Sequence, residues 1–347
     1  VSDDALFVPG RLCLFGEHSD WAGVYRATHP ALAPGRCLVA GTDQGLRAHV
    51  ARAGAFEMTT VLPDGSRRGP ERIAPTVAAL DAVARGGGFF SYVAGVAAEM
   101  VARHGVGGVA IDVVANDLAV GKGLSSSAAV CVLVARAFDR TYALGLSPHD
   151  EMALAFAGER RAGSQCGLMD QVCAYGRVTT CLGFDGDAFT VEPLAVHGPL
   201  HLLVVDLRRA KDTRRILADL NACFPAAPGP VAAGVREALG PRNLALVEQA
   251  RLALAAGDAE ALGRLMTEAQ AVFDALVAPA CPELRAPRLH EVLGHPAVRE
   301  LAWGGKGVGS QGDGCAQLVA RSAGARERLA ARLEAELAVA CLPLTVA

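Results

Sequence analysis

A chain of 347 residues with 52% hydrophobic content has material for one large domain or two ordinary ones. Its 33 basic and 36 acidic residues leave a formal charge of −3, which argues against a broad nonspecific nucleic-acid surface while allowing a local basic patch. The first residues are polar and acidic rather than leader-like, and charges interrupt the Ala-rich apolar runs, so a soluble, cytoplasmic protein without a membrane span is expected.

Leu6 to Val8 predicts a short strand and Leu12 to Phe15 a second, separated by Pro9-Gly10-Arg11. Arg11 reads equally well as a solvated flank. Cys13, like Cys37, Cys131 and Cys315, sits in an apolar or glycine-rich run and reads as a reduced small hydrophobe. No CxxC pair occurs, and Cys13 with His18 lacks further ligands at zinc spacing, so no zinc centre is expected. Glu17-His18-Ser19-Asp20-Trp21-Ala22-Gly23 follows. Two acids, an imidazole and an indole at a strand end suit a polyhydroxylated ligand, although a charged surface turn has the same composition.

Cys37 to Ala40 and Leu46 to Val50 read as strands, Pro63 to Pro75 as turns, and Val77 to Ala84 and Phe89 to Ala102 as helices. A strand over Val109 to Val114 leads through Asn116-Asp117-Leu118-Ala119 into Gly121-Lys122-Gly123-Leu124-Ser125-Ser126-Ser127-Ala128-Ala129, and a helix follows over Val130 to Phe138. Glycine lets backbone approach an anion, and a helix start presents free N–H groups. This fits a phosphate-holding turn, or a serine-rich helix cap. It matches neither the usual P-loop nor the dinucleotide fingerprint.

Ser147-Pro148-His149-Asp150 is a helix start, with serine to cap, proline first and an acid three residues on. The helix should end near Arg161, with Glu159 close to its end as a surface salt-bridge partner or a ligand. Gly163 to Gln171 is a loop whose Asp170 suits a structural turn or the orientation of a bound hydroxyl. Thr179 to Leu182, Ala188 to Val191 and Leu202 to Val205 are strands. Arg208, Arg209, Lys211, Arg214 and Arg215 then cluster, either as a solvated face or to steer anions. Helices are expected over 243–255, 258–274 and 283–293. Gly304 to Gly314 holds six glycines in eleven positions, ahead of a strand over Ala316 to Ala320 and a helix near 325–340.

Together these segments resemble the GHMP small-molecule kinases, in motif style nearest to galactokinase-like sugar-1-kinases. Pro9-Gly10-Arg11 through Gly23 resembles the first family motif in its sugar-kinase form, Gly121 to Ala129 the second, and Lys306 to Cys315 the third. Cys166-Gly167-Leu168-Met169-Asp170-Gln171 adds a further match. The resemblance implies an α+β fold of two mixed α/β domains, 1–195 and a ferredoxin-like 196–347, with ATP and acceptor meeting in a cleft between them. It implies ATP phosphates held by Gly121, Gly123, Leu124, Ser125, Ser126 and Ser127, and Mg2+ held by Ser127 and Glu159. Asp170 takes the catalytic place, with Arg11 beside it. Glu17, His18 and Asp20 line the acceptor.

The implied reaction phosphorylates a sugar, at its anomeric hydroxyl, to a sugar 1-phosphate. Trp21 stands where galactokinases usually have tyrosine, and Ala119 where the second motif often has proline. Gln311 and Asp313 replace glycines of the third motif. An acidic Asp313 near phosphate would be unfavourable unless turned away or paired. These departures, with the 208–215 cluster, leave open a larger or acidic sugar, another small alcohol such as mevalonate, or a non-catalytic sugar sensor. The expected partner is a small molecule, with neither nucleic acid nor membrane, and the chain a monomer or homodimer.

Overall fold

The computed structural model describes residues 5–118 and 123–346. In chain order the strands and α-helices are β1 (Leu6–Phe15), α1 (Ser19–Val24), β2 (Gly35–Ala53), β3 (Phe56–Val61), β4 (Arg67–Ile73), α2 (Val77–Arg85), α3 (Ser91–His104), β5 (Gly108–Asn116), α4 (Ser126–Tyr142) and α5 (Pro148–Arg161). They continue as β6 (Thr179–Asp185), β7 (Ala188–Leu194), β8 (Leu200–Asp206), α6 (Thr213–Asn221), α7 (Pro230–Glu237), α8 (Asn243–Ala256), α9 (Ala259–Leu276), α10 (Pro287–Leu293), α11 (Pro296–Leu301), β9 (Ala302–Gly307), β10 (Cys315–Ala320), α12 (Ala323–Leu337) and β11 (Ala340–Val346). No helix among the described residues is long and apolar enough to cross a membrane. Contacts divide the chain into two compact units, residues 1–11 with 41–177 and residues 12–40 with 178–347.

In the first unit β5 pairs antiparallel with residues 46–53 of β2 and parallel with β3, and β4 closes the edge beside β3. Helices α3, α4 and α5 pack together. Helix α5 begins with a complete capping box, Ser147 and Asp150 exchanging bonds behind Pro148. It crosses α3 at two glycines. A Cβ on Gly95 would lie 2.1 Å from the Gly158 carbonyl, and one on Gly158 would lie 2.4 Å from Val96 Cα, so no larger residue fits either place. Arg136 of α4 ties this layer together, donating to Glu151 of α5 and to the carbonyls of Phe7 and Ala174.

In the second unit residues 35–40 of β2 pair with β6, and β6 forms a hairpin with β7. A separate antiparallel sheet runs β11-β8-β10-β9. Its strand–helices–strand–strand–helix–strand succession is that of a ferredoxin-like layer. One core lies between this sheet and α10, α11 and α12, where Leu203, Leu289, Val292, Leu318 and Leu329 are buried. A second gathers α6, α7 and α9 around Ile216, Leu220, Val235 and Phe273.

Several element boundaries differ from the sequence expectation. The two short strands at 6–8 and 12–15 are one strand, because Pro9 and Gly10 are themselves buried within it. A Cβ at Gly10 would stand 2.6 Å from the Leu118 side chain and 2.9 Å from the Leu124 carbonyl. The polar residues 41–45 do not break β2, which is continuous and serves β6 with one end and β5 with the other. The turn-rich segment after Pro63 contains β4, an exposed, arginine-rich edge strand with β3 as its partner. The helix expected over 283–293 is a short 3-10 turn and α10, divided before Pro287. The first part of the glycine-rich segment is β9 itself.

Candidate active site

The first unit carries one group of the expected site residues. Gly121 and Lys122 lie outside the described residues. From Gly123 onward the turn enters α4 through Ser125, whose backbone is left-handed at φ 52°. The Ser125 side chain makes no capping bond, so the cap reading of the serines does not account for that residue. Arg11, 6% exposed, bridges this turn to Asp170. Its backbone N–H donates to the Leu124 carbonyl at 3.1 Å and Nη1 to the Gly123 carbonyl at 2.8 Å, while Nη2 pairs with Asp170 Oδ1. Asp170 is half-buried in the first turn of the 3-10 helix Leu168–Tyr175.

Glu159, near the end of α5, is 2% exposed and is no surface salt-bridge residue. It accepts from Gln171 Nε2 at 2.8 Å and from Ser164 Oγ at 3.3 Å, and the Ser127 hydroxyl also bonds to it. Burial, then the neighbouring Asp170 charge, push its carboxyl above the ordinary range, while those three donors pull the other way. Glu159, Asp170 and the Ser127 hydroxyl offer hard oxygens, with the Asp170 charge shared by Arg11. That fits Mg2+, which binds through few protein oxygens together with phosphates and waters.

The second unit carries Glu17, His18 and Asp20. Ser19 between them is structural. Its hydroxyl donates to the Arg36 carbonyl at 2.8 Å, and Asn243 of α8 donates to both. Glu17 forms an ion pair with Lys306 of β9, which is 2% exposed. Asp20 accepts from the backbone N–H of Trp21 at 2.9 Å. His18, 5% exposed and left-handed at φ 73°, precedes α1 and stacks against Phe273. Trp21 Nε1 donates to His18 Nδ1 at 3.0 Å, and the indole packs against Tyr25 and Phe224. Tyrosine cannot place a ring N–H there, so the departure at this position changes what the histidine can do. Burial, then the charges of Lys211 and Lys306, lower the His18 pKa to about 3, against a weaker raising contribution from the Ser310 backbone.

The departures in the third motif also resolve. Asp313 is turned away, and its Oδ1 accepts from Leu289 N–H at 2.9 Å in the first turn of α10. Gln311 takes a left-handed backbone at φ 64°, and its carbonyl accepts from Lys211 Nζ at 2.7 Å. Sequence reasoning missed Lys306 as the partner of Glu17 and grouped Lys211 with its exposed arginine neighbours. The signal for Lys306 was its place among glycines, where a lone charged residue needs a partner.

Residues 91–177, which span α3 to the end of the Asp170 helix, match the GHMP kinases N terminal domain. A galactokinase of Roseiflexus sp. (strain RS-1) is 28% identical over 304 residues, 76% of this chain and 71% of that protein. Over residues 91–177 the chain is similar to the GHMP kinases, and over most of its length to a galactokinase. The solved structures agree in fold. L. major mevalonate kinase in complex with R-mevalonate has 20% identity and a TM-score of 0.70, covering 99% of this chain and 96% of that one. Lactococcus lactis galactokinase complexed with galactose has 18% identity and a TM-score of 0.70, covering 99% and 93%. GHMP kinases are ATP-dependent, and the α+β fold is theirs.

Proposed function

We propose that this protein transfers the γ-phosphoryl group of ATP to a sugar hydroxyl, at the anomeric carbon, giving a sugar 1-phosphate and ADP. The observation that carries the reading is the Arg11 bridge, which fixes one guanidinium to both Asp170 and the turn at Gly123. Asp170 orients the acceptor hydroxyl. As that oxygen bonds to the γ-phosphorus, the bond to the β,γ-bridging oxygen breaks, ADP leaves, and the hydroxyl proton passes to Asp170. A carboxylate is a weak base for an alcohol, so the proton moves late. Arg11 stabilises the equatorial oxygens of the transferring group. Gly123 to Ser127 and the start of α4 offer N–H groups and a favourable dipole to the phosphates. Ser127 and Glu159 would hold Mg2+, which supplies charge neutralisation on the phosphate oxygens.

Glu17-His18-Ser19-Asp20 and the galactokinase relative support a sugar acceptor. A second reading, a small hydroxy acid such as mevalonate, is supported by the equal TM-score of the L. major mevalonate kinase. The test is magnesium-dependent ATP turnover against neutral sugars, uronic acids, sugar phosphates, mevalonate and homoserine, with products read by phosphorus NMR. An anomeric phosphate supports the first reading. Turnover with mevalonate alone replaces it with the second. Tight binding of sugar and ATP without turnover overturns both in favour of a sensor.

A further inference from the structure

We propose that Gln171, with Ser164, is a positioning residue that holds the Glu159 carboxylate in the orientation in which it takes a divalent cation. The inference rests on the reading of Glu159 as a magnesium ligand and goes beyond it, to the residues that aim that ligand. It starts from the hydrogen bonds around one carboxylate of the first unit. Glu159 Oε2 accepts from Gln171 Nε2 at 2.8 Å, and Oε1 accepts from Ser164 Oγ at 3.3 Å. A donor on each oxygen fixes the plane of the carboxylate. Each oxygen has a second lone pair, so a cation can still be bound after both bonds are made.

Both donors are themselves held. Ser164 Oγ accepts from the Cys166 backbone N–H at 3.1 Å, which turns its single proton toward Glu159. The Ser164 backbone N–H returns to the Glu159 carbonyl at 3.2 Å and keeps the hydroxyl beside the end of α5. Gln171 is fully buried. Its amide faces Glu159 with nitrogen, because a carbonyl oxygen there would be repelled by the carboxylate. The other contact of Nε2 is a weak acceptor, Cys166 Sγ at 3.7 Å. The cost of this orientation falls on Gln171 Oε1, which is buried without a hydrogen-bond partner among the described residues. An unpaired buried acceptor costs about 1–3 kcal/mol. Packing alone gives no reason for an amide here, since methionine fills similar space without that penalty. What the amide nitrogen does for Glu159 is the reason. The helix carrying it does a second task. Asp170 and Gln171 are successive residues of the 3-10 helix Leu168–Tyr175, in which neighbouring side chains diverge by about 120°. Asp170 turns to Arg11 and Gln171 to Glu159, so one helical turn sets both carboxylates.

The test measures, by calorimetry on the full chain, the affinity for a non-hydrolysable ATP analogue with and without Mg2+. The ratio of the two reads the gain from the metal with no turnover. Glu159→Gln should remove most of that gain. Gln171→Met should lower it at least about tenfold and leave the metal-free affinity unchanged. Ser164→Ala should lower it less, because its bond is the longer one. Since Gln171 acts through Glu159, adding Gln171→Met to Glu159→Gln should bring no further loss. An unchanged gain in Gln171→Met beside a lost gain in Glu159→Gln overturns the proposal and leaves Glu159 as the ligand. A further loss in the double variant also overturns it. A gain that is absent from the wild type, or that survives Glu159→Gln, removes the magnesium reading of Glu159, and the proposal falls with it. If Gln171→Met weakens metal-free binding through misfolding, Ser164→Ala decides: a lowered gain supports the proposal and an unchanged one overturns it.

Discussion

The two units hold opposite kinds of local electrostatics. In the first, Glu159 and Asp170 bring two carboxyls into a nearly buried place, where Arg11 pairs with Asp170 and hydroxyl and amide donors serve Glu159. In the second, burial and the neighbouring Lys211 and Lys306 hold the His18 ring neutral. The difference teaches how a residue beside a motif, Trp21 or Lys211, alters the surroundings of the motif's own groups.

The largest expected effect tests the neutral histidine. His18 has a folded pKa of about 3, against 6.5 for the ordinary group. Above pH 6.5 neither state binds the proton. Between 6.5 and 3 the unfolded chain binds it and the folded chain does not, so stability falls as pH falls. The whole gap corresponds to roughly 5 kcal/mol, of which roughly 3 should be gone by pH 4. Denaturant titrations at pH 7.5 and 4 should show the wild type losing about that much more than His18→Gln. Equal losses would mean that the ring is not held neutral.

Next come the proposed catalytic Asp170 and the proposed magnesium ligand Glu159. Asp170→Asn should cut turnover by about a thousandfold with nucleotide affinity nearly unchanged. A loss confined to KM would make Asp170 a binding residue. Glu159→Gln should cost about a hundredfold at saturating ATP and flatten the dependence on magnesium. Because the Glu159 carboxyl is raised, ionising it opposes folding above its ordinary pKa. The same variant should therefore be no less stable than wild type at pH 8 without magnesium. A marked destabilisation there would show that Glu159 serves the fold rather than a cation.

Much of the first unit was legible in the sequence because its signals are local. The capping box at Ser147, the strand before the glycine turn and the spacing of Glu159 and Asp170 each lie within a few residues or one helix. What escaped depended on distant partners. Nothing near Lys306 names Glu17, which lies 289 positions earlier. Nothing near Arg11 distinguishes a solvated flank from a residue whose acceptors lie on two later loops. β1 and β2 were each divided because polar or proline-glycine residues usually end strands, and here burial and two successive partners override that preference. The outward-turned Asp313 was legible only as a requirement, that the acid be paired or turned away, and the Leu289 N–H supplies the partner.

The smallest effect sharpens the comparison most directly. Trp21→Phe keeps an aromatic ring against Tyr25 and Phe224 but removes the donor to His18 Nδ1. The lost hydrogen bond should cost about 1 kcal/mol. The larger consequence is chemical. With Nδ1 released, the neutral ring can place its proton on either nitrogen, and Nε2 can become an acceptor. Nitrogen-15 NMR of the histidines should show Nε2–H alone in the wild type and a mixture in Trp21→Phe. A wild-type ring protonated on Nδ1 would mean that the indole does not donate to it. A variant that keeps Nε2–H would show that the lysines set the tautomer, and that the indole is there only to pack.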